Sequence, residues 1–186
     1  MTVVDNAERE RILDVALAEL AVKGVDLTLE GVAARAGVDT GVVKQIWANT
    51  PEVYTATILE FGRRSVGIPD TGTLRGDLLD YARSYADLVN SPIGRRLIHA
   101  VLVSPRDWDL SDARSAFAAE RNNRRTVIVR RGIERGECSP ETDPARFMEL
   151  LGGCLCLSVL YYDRPISEAD CDSVVDLLLY GIARKQ

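Results

Sequence analysis

The chain is poor in histidine, has no excess of positive charge, and contains no apolar run long enough for a membrane. Each shortage removes a class of function. His99 is the only histidine, and Cys138, Cys154, Cys156 and Cys171 offer no second close pair, so neither a zinc-ligand spacing nor any cofactor is expected. Cys154 and Cys156 stand two apart on one expected helix and point to different faces, so the cysteines read as reduced thiols. The net charge of −5 does not advertise a nucleic-acid partner. Lysine is nearly absent (Lys23, Lys44 and Lys185 only), and nothing about function follows from the arginine bias. The most apolar stretch, 147–162, contains Glu149 and is shorter than the roughly 20 residues a membrane span needs. It reads as a buried helix. The first residues carry no basic start with an apolar run behind it, so no secretory signal and a cytoplasmic location are expected.

What is present is a globular composition: 46% hydrophobic and 27% charged residues exclude a disordered chain. Its 186 residues suffice for one domain or two small ones. Nearly every segment between turn signals has helical periodicity, and none alternates as a strand would. The pattern predicts an all-α chain of nine helices, over about 7–23, 29–36, 39–46, 51–65, 74–89, 93–103, 111–135, 144–162 and 168–184. Gly24 is expected to close the first helix in a left-handed conformation. Thr28 and Asp39 are expected to cap the second and third, and Thr50-Pro51 to serve as cap and first residue of the fourth. Ser167 with Asp170 resembles a capping box. The Gly67, Pro69 and Gly72 stretch is the best linker. It divides a domain at 1–50 and a connecting helix at 51–66 from a larger domain at 67–186.

Function is most legible between residues 7 and 61. Two short helical segments, 29–36 and 40–46, meet at Gly37, and the first helix can pack its apolar face across both. That is helix-turn-helix geometry, in which the second helix enters a major groove. Ala33, Val38 and Val43 suit the contact between the helices, leaving Asp39, Thr40, Gly41, Lys44 and Gln45 outward. On composition alone these five form a solvated polar face; the motif spacing favours contact with DNA. Gln45 can pair bidentately with adenine, and Thr40 can meet a thymine methyl or a phosphate. Trp47 reads as core.

These residues closely resemble the TetR family of transcriptional regulators, over about 11–59. The resemblance rests on Thr28, Val32-Ala33, Ala36-Gly37-Val38, Gly41, Trp47 and Thr50-Pro51. A looser likeness covers Leu155 to Gly181, through Tyr161-Tyr162, Arg164-Pro165-Ile166-Ser167 and Val175-Asp176-Leu177-Leu178. It implies a homodimer on palindromic double-stranded DNA, contacts from Thr28, Asp39, Thr40, Gly41, Val42, Lys44, Gln45 and Thr50, and release by a small, largely apolar effector. The chain departs from the family where a phosphate-holding tyrosine and loop lysine are usual, with Lys44 and Thr50 in their places. Over residues 1–64, Arg9, Arg11, Lys23, Arg35, Lys44, Arg63 and Arg64 face ten acidic side chains. Because phosphate neutralisation supplies most non-specific affinity, modest and strongly salt-sensitive binding is expected.

In the larger domain, segment 144–162 is apolar nearly all round and must be buried on more than one side. A two-fold mate solves this, with Leu155, Val159, Val174, Leu178 and Ile182 as the expected interface. Tyr81, Tyr85, His99, Trp108, Phe117, Met148, Leu151 and Tyr161 are candidates to line an effector pocket, although each reads first as ordinary core. No nucleophile, base and orienting group coincide, so an enzyme is disfavoured. A TetR-like protein that has lost DNA binding and acts as a ligand- or protein-binding module stays open. The arginine-rich 111–135 segment spreads its charges around the helix and reads as a solvated face.

Overall fold

The computed structural model describes residues 5–95 and 111–181, side chains at 25 and 111–122 excepted. Among these residues are eight α-helices, one 3-10 turn and no strand: α1 (Asn6–Lys23), η1 (Gly24–Asp26), α2 (Leu29–Ala36), α3 (Thr40–Ile46), α4 (Thr50–Ser65), α5 (Leu74–Asn90), α6 (Ser111–Glu134), α7 (Pro144–Leu160) and α8 (Glu168–Tyr180). The all-α expectation is met. The helix expected over 93–103 lies outside the described residues beyond Arg95. The described residues divide into two compact units, one holding residues 5–64 and 111–118 and the other residues 65–95 and 119–181.

In the N-terminal unit, Asp5 opens α1 by accepting the Glu8 N–H at 2.8 Å. Ile12, Leu13, Ala16 and Leu20 recur at helical spacing and are buried. They pack with Leu29, Val32 and Ala33 of α2, Val43 of α3, Trp47, and Val53, Tyr54 and Ile58 of α4. Gly24 has positive φ but ψ −124, so it leads into η1 rather than forming the left-handed stop expected of it. Gly37, at φ 68 and ψ 32, is left-handed, and its N–H closes the end of α2 on the Ala33 and Ala34 carbonyls. The Arg11 guanidinium donates to the Ala36 carbonyl at 2.9 Å, satisfying another acceptor at that helix end.

Glu19 lies inside this unit. Its carboxylate accepts from Lys23 at 2.5 Å and Arg35 at 3.0 Å, which ties α1 to α2. The Lys23 hydrogen bond, helped by Arg35, holds the carboxyl below its ordinary range against the opposing effect of burial.

The C-terminal unit is built on α5, which packs against α7 and α8. Its core joins Leu78, Tyr81, Ala82, Tyr85 and Val89 to Met148, Leu151, Leu155 and Val159, with Cys171 and Val175 from α8. Two polar clamps fix its ends. The Asn90 side chain donates to the Ile166 carbonyl (2.8 Å) and accepts the Ile166 N–H (2.9 Å), holding the chain just before α8. The fully buried Asp77 accepts from the Thr71 N–H and hydroxyl and from Arg135, fixing the turn that leads into α5. The Ser167–Asp170 capping box opens α8. No helix among the described residues is long and apolar enough to cross a membrane.

Candidate nucleic-acid interface

Side-chain caps satisfy the first turns of α2 and α3. Thr28 Oγ1 accepts the Gly31 N–H at 3.0 Å, and Asp39 Oδ1 accepts the Gly41 N–H at 2.7 Å. Each such cap contributes about 1 kcal/mol. Val43 is buried beneath α3 and anchors it to the core. Gly41, Lys44 and Gln45, spaced i, i+3 and i+4, share the opposite, exposed face. Asp39 is exposed at the start of that helix and Thr40 is half-buried.

Two of the expected contacts need correction. Val42 is half-buried against the core, so little of it remains on the outward face. Thr50 is the first residue of α4 rather than its cap. Asn49 Oδ1 accepts the Glu52 N–H at 2.9 Å, and the Glu52 carboxylate returns to the Ala48 N–H at 2.8 Å. Thr50 Oγ1 instead accepts the Leu29 N–H at 3.3 Å, stitching the start of α4 to the start of α2. Asn49 and Thr50 are both good caps by type; the Glu52 reciprocation decides between them.

The electrostatics are more economical than the charge count suggests. Lys23 and Arg35 converge on Glu19, Arg63 and Arg64 on Glu60, Arg64 also on Asp14, and Arg11 on Glu8. The Arg63 hydrogen bond, joined by that from Arg64, pulls the Glu60 carboxyl down to about 2. Lys44 carries no carboxylate partner among the described residues, and neither does Arg9, which sits over the Trp47 ring. Among the described residues, no carboxylate neutralises the exposed cation of α3.

A short polar helix held by its caps, with an unneutralised lysine on its open face, matches what comparison with known proteins returns. Residues 68–178 match the model of the tetracyclin repressor-like C-terminal domain. The HTH-type transcriptional regulator AqdR of Rhodococcus erythropolis is 30% identical over 174 residues, covering 93% of this chain and 84% of that protein. This chain belongs to the TetR family. It is similar to the TetR family transcription regulator SCO0332 in crystal structure, with 27% identity, a TM-score of 0.79 and coverage of 95% and 98% of the two chains. In fold it is also similar to the transcriptional regulator FadR from Bacillus subtilis in complex with stearoyl-CoA, at a TM-score of 0.67 with 19% identity, covering 94% of this chain and 100% of that one. The relatives are transcriptional regulators, and this TetR protein is one of them rather than an enzyme.

Within the C-terminal unit of the TetR chain, Tyr81, Tyr85, Met148 and Leu151 are buried. The rings of Tyr81 and Tyr85 stack at 6.3 Å, and the Tyr85 hydroxyl lies 3.1 Å from Cys156 Sγ. Tyr161 does not join them. It caps the C-terminal end of α7, is 76% exposed, and makes an edge contact with Tyr162. His99, Trp108 and the Phe117 side chain lie outside the described residues. The interior also holds Arg125, a buried charge that hydrophobic periodicity passes over.

The expected dimer residues require a second correction. Leu155 is 1% exposed and Val159 is also buried, because both face α7's own neighbours within the chain. Val174 and Leu178 are half-buried, and Ile182 lies outside the described residues. The apolar side chains that face outward are Leu150, Leu157 and Tyr161, on the same side of α7 as the exposed Gly153 and Cys154, together with Leu177 and Tyr180 of α8. Positions 150, 154, 157 and 161 follow helical spacing, a signal present in the sequence but masked by the second apolar stripe beside it.

Proposed function

We propose that this regulator is a homodimer that binds a palindromic operator through paired α3 helices and represses transcription until a small effector releases it. The observation that carries the DNA reading is the face of Gly41, Lys44 and Gln45. It is exposed, held from beneath by Val43, and bears a lysine with no carboxylate partner among the described residues. Gly41 leaves the helix bare where a phosphate backbone approaches, Lys44 supplies charge, and Gln45 can read an adenine edge. A glycine-to-alanine change there would bring Cβ within 2.8 Å of the Asp39 carboxylate oxygen that caps the helix.

The outward apolar stripe of α7 and α8 supports the dimer. Half-exposed Leu150, Leu157, Leu177 and Tyr180 gain cover when a second copy meets them about a two-fold axis. Reading a palindrome requires the two recognition helices to reach sites about 34 Å apart, one turn of DNA. The effector enters the C-terminal unit among Tyr81, Tyr85, Met148 and Leu151, and its largely apolar body suits them. FadR, whose fold is shared, is seen with stearoyl-CoA. Effector binding favours a different arrangement of the helices and lowers operator affinity by the ratio of its affinities for the two states.

A second reading, a TetR-fold module that no longer binds DNA, is favoured by the pairing of Arg11, Lys23, Arg35, Arg63 and Arg64 with carboxylates. Gel shifts at low salt with the intergenic DNA upstream of its own coding sequence separate the two. A specific complex that retreats as salt rises supports the regulator, and no complex at any salt supports the module.

A further inference from the structure

Arg9 differs from the other arginines of the N-terminal unit. It is exposed on α1, forms no ion pair among the described residues, and holds its guanidinium 5.8 Å from the centroid of the Trp47 ring. The nearby carboxylates are engaged elsewhere. Asp5 caps α1 and Glu8 pairs with Arg11. Trp47 is a firm platform: it is buried, it is the C-cap of α3, and its N–H donates to the Val43 carbonyl at 2.9 Å. A ring beneath a guanidinium restrains the side chain without removing its charge, and leaves the edge N–H groups free for an anion. Lys44 stands one helical turn before Trp47. The two basic side chains of residues 1–64 that no carboxylate engages among the described residues therefore belong to the C-terminal end of α3, one from α3 itself and one brought there by α1.

We infer that Arg9 is a phosphate-binding residue of the DNA surface, pre-positioned by Trp47 to grip the backbone beside the groove that α3 enters. The inference rests on the DNA-binding reading above. Stacked on an aromatic ring, the guanidinium loses fewer rotamers on meeting a phosphate than a free surface arginine does. Its charge-assisted, bidentate contact adds to the charge that Lys44 supplies on α3 itself.

The test is the salt dependence of binding to a labelled duplex of the upstream intergenic DNA, measured by fluorescence anisotropy for wild type, Arg9→Gln and Arg9→Lys, with thermal melts of all three. Each phosphate contact adds about 0.9 to the slope of log affinity against log salt. Arg9→Gln should flatten the slope by about 0.9 per protomer, close to 2 for a dimer on its operator, while Arg9→Lys keeps the slope of wild type. A weakened Arg9→Gln complex with an unchanged slope, or a loss in Arg9→Lys equal to that in Arg9→Gln, makes Arg9 a packing residue and overturns the inference while leaving the DNA-binding reading intact. A wild type that binds no duplex overturns that reading and the inference with it.

Discussion

Replacing Leu157 by alanine separates the two faces of α7. Leu157 is 51% exposed in the single chain, whereas Leu155, two residues earlier and on the opposite side, is 1% exposed. Fully burying a leucine side chain stabilises by about 1.5–3 kcal/mol, so covering the open half of Leu157 contributes roughly 1 kcal/mol. A two-fold interface counts it twice, about 2 kcal/mol in all, which corresponds to a roughly 30-fold weaker dimer in Leu157→Ala. Because alanine keeps the helix and deletes little internal packing, the melting behaviour at high protein concentration should hardly change. Leu155→Ala is the counterpart. It opens a cavity in the core and costs about 2–5 kcal/mol of folding stability. Sedimentation equilibrium over a concentration series gives the dissociation constants, and thermal or urea unfolding gives the stabilities. Should Leu157→Ala leave the dimer constant as it was while Leu155→Ala weakens association without loss of stability, the assignment of faces is refuted.

Three further outcomes are expected. Glu60→Gln removes a carboxylate held at about 2, below its ordinary 4.5, by Arg63 and Arg64. The depressed value means the stabilisation is fully present above 4.5 and is lost as pH falls toward 2. With both arginines about half exposed, the variant should be less stable at neutral pH by on the order of 1 kcal/mol, and urea titrations across acid pH should show the gap closing. Lys44→Gln should lower the salt slope of DNA binding by about 0.9 per protomer while stability stays within about 0.5 kcal/mol of wild type, read by anisotropy and melting. Thr28→Ala loses the cap on the Gly31 N–H and should cost about 0.5–2 kcal/mol in a urea titration.

Local chemistry made much of this legible beforehand. Thr28, Asp39 and Ser167 announce helix starts because their short oxygens reach back to orphan N–H groups, and each does so here. The buried set of α1 follows from spacing alone, except that Glu19 lies among it, paired by Lys23 across one turn and by Arg35 sixteen residues away. No local pattern reveals the second partner. At the start of α4, two adjacent capping residues compete, and the outcome turns on Glu52, which reaches back to the Ala48 N–H while Thr50 Oγ1 takes the Leu29 N–H. On α7, apolar residues circle the helix, so periodicity cannot say which stripe meets the chain's own α5 and which is left outward. Leu155 and Val159, expected at the interface, turn inward within the chain instead, while Leu150 and Leu157 are exposed. Arg9 escaped notice because its meaning lies in a contact with Trp47, 38 positions along the chain.

In the proposed complex, two copies of this chain present α3 to neighbouring turns of one duplex. Selection of bound sequences from a pool of random double-stranded DNA tests it most directly. The account predicts enrichment of an inverted repeat with half-sites about 10 base pairs apart, centre to centre, or a multiple of that spacing. A pool that emerges without sequence enrichment, or with a single asymmetric site, contradicts it.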